Sequence, residues 1–363
     1  MTSTDVLVVG AGPAGSIAAI AARRAGAHVM LVDRAEFPRT KACGCCLSEL
    51  AIASLDRLGL GDELAGAARL TSLTLRCGSG EVSVRRERGA AIGRDDLDVR
   101  LVRRAREEGV DVRLGCTAAA VAEGGWTVGA APLVVGCAVV CDGLAGRSLD
   151  ALPAFGWRVR RRSRMGFGAA VPARALECTA GEIRMHVARG GYVGAVRLPD
   201  GTVDVAGAAL PGCVRAAGGP AEYAIAALGP SVRDADALRA ARWHGAPTLS
   251  RRRNALSAPG ILLAGDAAGY EEPFTGEGMG WAIATGAAAG GLAASVAHGR
   301  ADHERWPAMH AAIVRGARLR CRAISLALRS PALVALAIRA GATAPGIASR
   351  VAERIGRPGG AVA

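Results

Sequence analysis

Lys41, Cys43, Cys45 and Cys46 fall within one short stretch, FPRTKACGCCLSEL (37–50), and Lys41 is the only lysine of a 363-residue chain that otherwise uses arginine. Thiols beside a cation have their thiolate favoured, so this cluster has the chemistry of a nucleophile, a redox pair through Cys43 and Cys46, or a metal ligand pair. Leu47, Leu50, Ala51, Leu55 and Leu58 recur at helical spacing, which predicts an amphipathic helix directly after the cluster, its N-terminus favouring a thiolate further. Zinc is not expected, because two ligands do not make a structural site and no second His or Cys pair lies at ligand spacing elsewhere.

The elements that must position this cluster begin upstream. DVLVVGAGPAGSIAAIAARRAGAHVMLVD (5–33) reads as strand, glycine turn, Ala-rich helix and second strand ending in an acid. Gly10 suits the tight turn, Gly12 lets backbone approach a pyrophosphate, and Gly15 permits close packing of helix on strand. The helix N-terminus offers free amides to phosphate. Asp33 is placed for ribose hydroxyls and argues against a 2′-phosphate, while the adjacent Arg34 argues the other way.

Two later segments select the cofactor. VVCDGLAGRS (139–148) follows an apolar run and carries Asp142; SAPGILLAGDAAGYEEPFTGEGMGWAIATGAAAG (257–290) contains a strand, Gly265-Asp266, a Gly-rich loop and a helix beginning near Gly278. Asp266 suits a polyol chain, and the helix start aims N–H groups at an electron-rich ring edge.

With these three ordered motifs the chain resembles the FAD-dependent superfamily of para-hydroxybenzoate hydroxylase, the flavin halogenases and the geranylgeranyl reductases, over roughly residues 5–300. FPRTKACG, IGRDDLDVRLVRRA (92–105), GGYVGAVRLPDGTVDVAGAAL (190–210) and GDAAGYEEPFTGEGM (265–279) are most similar to the geranylgeranyl reductase branch. The resemblance implies that Ala14, Asp33, the Gly44–Cys45 turn, Arg94, Ala118, Asp266, Gly276, Gly278 and Met279 hold FAD. It runs the KxCG loop along the flavin, with Cys45 or Cys43 at the reacting space, Lys41 and Arg39 orienting the loop, and Tyr192 against the substrate cavity. The small residues Val193, Gly194 and Ala195 depart from the aromatic pattern there. Glu271 and Glu272 read as solvated loop acids.

The fold class so implied is α/β: a discontinuous Rossmann-like FAD-binding domain (1–68, 92–152 and 252–300), an antiparallel β-sheet substrate domain (69–91 and 153–251), and a C-terminal helical region (301–363). TSLTLRCGSGEVSVRR (71–86) alternates like a hairpin around Gly-Ser-Gly, and 155–250 supplies further strands. Leu97, Leu101 and Ala105 predict a helix leading into a strand.

About half of the residues are apolar, aromatics make up 3%, and the formal charge is +13. That charge without an aromatic stacking set or a known motif excludes nucleic acid. RVRRRSRM (158–165) and LSRRRNAL (249–256) read as solvated faces or anion contacts. No run of about 18 uncharged apolar residues is expected. The start MTSTDVLVVG lacks a secretory pattern, so a cytoplasmic protein with mostly reduced thiols is predicted, and Cys116, Cys137, Cys141, Cys178, Cys213 and Cys321 read as small hydrophobes. The basic C-terminal region, with breaks at Pro331 and GATAPG (341–346) and a frayed end after Pro358, offers a surface for peripheral membrane contact.

The expected activity is an FAD-dependent oxidoreductase that draws electrons from NAD(P)H or another donor and delivers hydride to a C=C bond of a hydrophobic, isoprenoid or polyketide-like substrate. The alternative is a monooxygenase hydroxylating an aromatic or polyketide ring. A disulfide reductase lacks its second GxGxxG unit here, a halogenase lacks its Trp-x-Trp-x-Ile-Pro segment, and flavin binding without catalysis is a further class.

Overall fold

The computed structural model describes residues 2–86, 88–122, 124–272, 274 and 276–343. The break expected from GATAPG and the frayed end after Pro358 extend outside the described residues.

The apolar run Thr2–Val9 forms the middle of a parallel sheet, with Val29–Val32 and Asp111–Arg113 on one side and Ala131–Val140 and Ile261–Leu263 on the other. At its centre, Val6–Val9, Val29–Val32 and Cys137–Val140 are buried on both faces, as parallel sheets covered by helices are. Ala118–Ala120 and Trp126–Val128 extend the sheet as antiparallel strands.

Helix Pro13–Arg24 lies against helix Gly278–Ala297 along a seam of small residues. A Cβ on Gly286 would run into the carbonyl oxygen of Ala14, and one on Gly290 into that of Ala18. The second helix corrects the expectation that no long uncharged apolar run exists: it has 20 residues and the length and composition to span a membrane. It is instead a core helix, because 72% of its apolar window is buried inside the protein. The Ala/Gly content that hides it from the eye is what lets two backbones touch.

The second layer is a seven-stranded sheet in the order His244–Thr248, Met165–Pro172, Thr202–Ala209, Gly191–Arg197, Glu182–Ala188, Ser72–Cys77, Gly80–Arg85. The predicted hairpin at 71–86 is its edge. Antiparallel pairing holds throughout except that Glu182–Ala188 runs parallel to Ser72–Cys77. That exception joins two chain segments about a hundred residues apart, so no tight turn dictates their direction.

Among the described residues after 300 the chain makes two α-helices. Trp306–Ala327 packs on Gly278–Ala297, with Trp306 fully buried and its Nε1 donating to Leu263 O at 2.8 Å. After the break before Pro331 the chain turns by 108°, and helix Pro331–Thr343 lays Val334 and Ile338 on Leu73, Leu75 and Val82 of the sheet. This helix thus covers the second layer.

Candidate active site

One cavity of about 1610 Å³ runs between the layers, from the glycine turn past the cysteine loop to Ile338. Small-molecule pockets commonly enclose about 300–1,000 Å³, so this space suits a cofactor and a substrate together. Gly10, Gly12, Ala14, Asp33, Arg34, Lys41, Gly44, Cys45, Arg94, Ala118, Asp142, Tyr192, Asp266, Gly276, Gly278 and Met279 all line it. Gly15 does not, because it stands behind the turn, where any side chain would meet Gly10 O. Chain segments far apart in sequence therefore converge on one wall.

At the nucleotide end Gly10 is left-handed (φ 98°) and has no room for a Cβ beside Cys141. The space above Gly12 is open, and the first atoms across it are Arg39 Nη2 at 3.6 Å and Arg94 Nη2 at 3.7 Å. Asp33 Oδ2 accepts from Ala11 N (2.7 Å) and faces Arg39 Nη2 at 3.1 Å. Arg94 forms a two-pronged pair with Asp98, both contacts 2.9 Å, and Asp98 is fully buried. Asp98 was not legible as a site residue, although its place four residues after Arg94 was the available signal.

Lys41 opens onto the cavity yet is ringed by protein, with Nζ beside Gly143. Burial, then repulsion from Arg39 and Arg94, pulls its ammonium down to about 8, while Asp98 and Asp266 act in the other direction. Asp266 is pushed up to about 6 by burial, against the pull of Lys41 and Arg94. Asp142 Oδ2 accepts from Ser148 N (3.1 Å) and Ser148 Oγ (2.7 Å), while its Oδ1 is buried without a partner. The residues fit FAD: a cradle open at Gly12, two guanidiniums for a pyrophosphate, Asp33 for a ribose, and an unspent acceptor on Asp142 for a donor group.

The cysteines differ from the sequence expectation in one respect. Cys46–Leu47 is a short strand paired with Ala90–Ala91, and the helix begins only at Glu49, so no thiol sits on its N-terminus. Cys43 is nevertheless held well below the ordinary thiol range, chiefly by a hydrogen bond from Cys45 and then by Arg94. Cys45 moves the other way, raised by the same hydrogen bond and by burial. Burial pushes Cys46 up to about 12. Cys45 also has a left-handed backbone (φ 50°), which for a residue other than glycine is uncommon and concentrates at functional sites. None of the ten cysteines is in a disulfide; Cys137, Cys141 and Cys321 are buried, whereas Cys116, Cys178 and Cys213 are half-buried.

At the far end Tyr192 is buried, edge-on to Phe274 with ring centres 4.9 Å apart, and its hydroxyl hydrogen-bonds Glu272. Glu272 corrects the reading as a solvated acid: it is buried and paired with Arg164 at 2.7 Å. Arg164 and Arg253, expected on solvated faces, are buried too, Arg253 donating to Phe155 O (2.6 Å) and Ala267 O (3.2 Å). In each case partners supplied from other segments offset part of the desolvation penalty that makes a buried arginine improbable from sequence.

Residues 3–135 match the model of an FAD binding domain. The chain is 31% identical over 343 residues to the menaquinone reductase of Mycolicibacterium smegmatis, covering 85% of this chain and 80% of that one. It is 32% identical over 342 residues to the menaquinone reductase of Mycobacterium tuberculosis, covering 85% and 79%. Among solved structures it is similar to the flavin-dependent brominase Bmp2 (TM-score 0.81, 17% identity, 98% of this chain and 94% of that chain). It is likewise similar to a geranylgeranyl bacteriochlorophyll reductase-like protein from Thermoplasma acidophilum (TM-score 0.74, 18% identity, 93% and 91%). At such identities the structural likeness speaks for the fold alone. Motifs and a likeness that spans most of both chains agree, and the chain belongs to the FAD-dependent oxidoreductase family of the mycobacterial menaquinone reductases.

Proposed function

We propose that this enzyme uses FAD to reduce a C=C bond of a hydrophobic, isoprenoid-bearing substrate, with a prenylated quinone as the substrate class. The observation that carries this reading is the cavity's continuation beyond the cysteine loop into an apolar channel walled by Leu73, Leu75, Met185, Val334 and Ile338. Side chains of this kind suit a long hydrocarbon. The likeness to two menaquinone reductases supports the quinone class.

Bound FAD would supply hydride chemistry. Gly10, Gly12, Ala14, Asp33, Arg34, Arg94, Ala118 and Asp142 would hold its nucleotide and phosphates; Lys41, Gly44, Asp266, Gly276, Gly278 and Met279 would position the flavin half. Cys45 and Tyr192 would face the reacting space, with NAD(P)H or another donor recharging the flavin. Lys41, beside Arg39, Arg94 and Asp266, stands better placed to fix cofactor charge than to move a proton on substrate.

We assign the mouth of the channel to a membrane surface. Leu333 lines the cavity, and Leu326, Leu333 and Leu336 are each more than half exposed on two consecutive helices that also carry the exposed Arg322, Arg329 and Arg339. An apolar stripe set among arginines suits insertion into an anionic lipid interface.

The test is anaerobic. Reduced holoenzyme mixed with a prenylated quinone should reoxidise its flavin and yield a product two mass units heavier, saturated in the tail. Substrate-stimulated oxygen consumption with a hydroxylated product would favour the monooxygenase alternative and sink this reading.

A further inference from the structure

Asp204 lies on strand Thr202–Ala209, inside the otherwise apolar run TVDVAGAA. Val203, Val205 and Ala209 pack into the core behind the sheet, so alternation places Asp204 with Ala206 and Ala208 on the cavity face, and all three line the cavity. Its cross-strand neighbours are Ala170 and Val196, which carry no charge. The carboxyl is 7% exposed and its Oδ2 is buried with no hydrogen-bond partner. Across from it stands the cysteine loop, with Gly44 packed over Ala206 and Cys45 among the titratable groups nearest Asp204.

The titratable groups facing Asp204 are Cys43, Cys45 and Cys46 of the loop and Asp95 of helix Arg94–Glu107. None is cationic. Burial first, then the negative charge on Cys43, holds the carboxyl well above the usual carboxylate range. A neutral acid kept in an apolar wall beside a reacting space is a proton source.

We infer that Asp204 supplies, through the Cys45 thiol, the proton that completes reduction of the substrate double bond. The assignment rests on the C=C reduction proposed above. One alkene carbon receives hydride from reduced flavin; the π-electron pair on the other takes the Cys45 proton, so a C–H bond forms as the S–H bond breaks. The Cys45 thiolate then recovers its proton from the Asp204 carboxyl, which is reprotonated from solvent through the cavity. The Cys43 thiolate accepts the Cys45 hydrogen bond and keeps that thiol protonated between turnovers.

Asp204→Asn preserves shape and removes the acid. In the holoenzyme, flavin absorbance and anaerobic chemical reduction should be unchanged, while substrate-dependent reoxidation falls about 100-fold or more. Asp204→Glu should restore part of the rate, and Asp204→Asn with Cys45→Ser together should be no slower than the worse single variant, since both lie on one path. Reoxidation within twofold of the parent, or additive losses, would overturn the relay. A second measurement does not need turnover: the pH profile of Cys45 alkylation by iodoacetamide, followed by peptide mass spectrometry. It should move to lower pH in Asp204→Asn, because at the alkaline pH where Cys45 ionises Asp204 has become a carboxylate, and its negative charge, which raises the thiol, is gone in the variant. If the parent never reduces an alkene, the functional reading fails and this profile alone decides: a shift upholds the Asp204–Cys45 pair, and an unchanged profile overturns it.

Discussion

Arg164 and Glu272 form a 2.7 Å ion pair, with 5% and 2% of their side chains exposed, that ties the strand wall to the loop following Asp266. Ser325 Oγ, on the helix Trp306–Ala327, lies 3.3 Å from the same guanidinium, and Tyr192 holds the same carboxylate. The pair therefore locks three parts of the chain around the substrate end of the cavity. Removing one member leaves a buried, unpaired charge.

Glu272→Ala should cost about 3–5 kcal/mol in urea denaturation, and Arg164→Leu combined with it should recover much of that loss. If the double variant is as unstable as the sum of the singles, the pair is not the unit of stability.

Gly290→Val should destabilise by more than about 1–3 kcal/mol, because a Cβ there meets the carbonyl of Ala18 and forces the two core helices apart. Gly291→Ala, one residue on and facing open space, is the control and should be neutral or slightly stabilising. Thermal melts of both variants check this.

FAD affinity should depend on Lys41. An anionic cofactor favours the ammonium, so affinity is at its full value below about pH 8 and declines above it, where the free protein must first take up a proton. The decline is at most about tenfold per pH unit. Lys41→Met should bind more weakly at pH 7 and lose this slope, read by flavin fluorescence quenching.

Stability should fall on acidification. Burial holds His186 down to about 4 and His310 down to about 3, so between those values and the unfolded value near 6.5 the unfolded state binds more protons. The stability these neutral imidazoles allow is complete above 6.5 and is lost as pH drops, by at most about 1.4 kcal/mol per unit for each histidine. His310→Phe should flatten the acid limb of a denaturation series.

Leu333→Glu with Leu336→Glu should reduce cosedimentation with phosphatidylglycerol vesicles several-fold while leaving the melting temperature unchanged, because both side chains are exposed. Equal binding to the parent would remove the membrane from the proposed function.

Much of the cofactor half was legible in residue order. Gly10, Gly12 and Gly15 announce a turn with backbone exposed to phosphate, since those requirements are local: a positive φ, a missing Cβ, a helix start. Asp33, Asp142 and Asp266 each close an apolar strand, and parallel strands deliver their ends to one edge. The hairpin at 71–86 and the helix from Arg94 followed from alternation and from 3.6-residue spacing.

What tertiary structure decided was which charges are buried and what meets them. Arg164 reads like its neighbours Arg161 and Arg162, which are exposed; only the arrival of Glu272 from over a hundred residues away distinguishes it. Asp204 was present as an acid in an apolar strand, but its protonation depends on the loop that packs across it. The cluster KACGCC shows both sides: its residue types announced thiol chemistry, while the division of labour among Cys43, Cys45 and Cys46 came from Arg94, Asp204 and desolvation. Local conformation follows from neighbours in the chain; charge state follows from neighbours in space, and those are set only when the layers close.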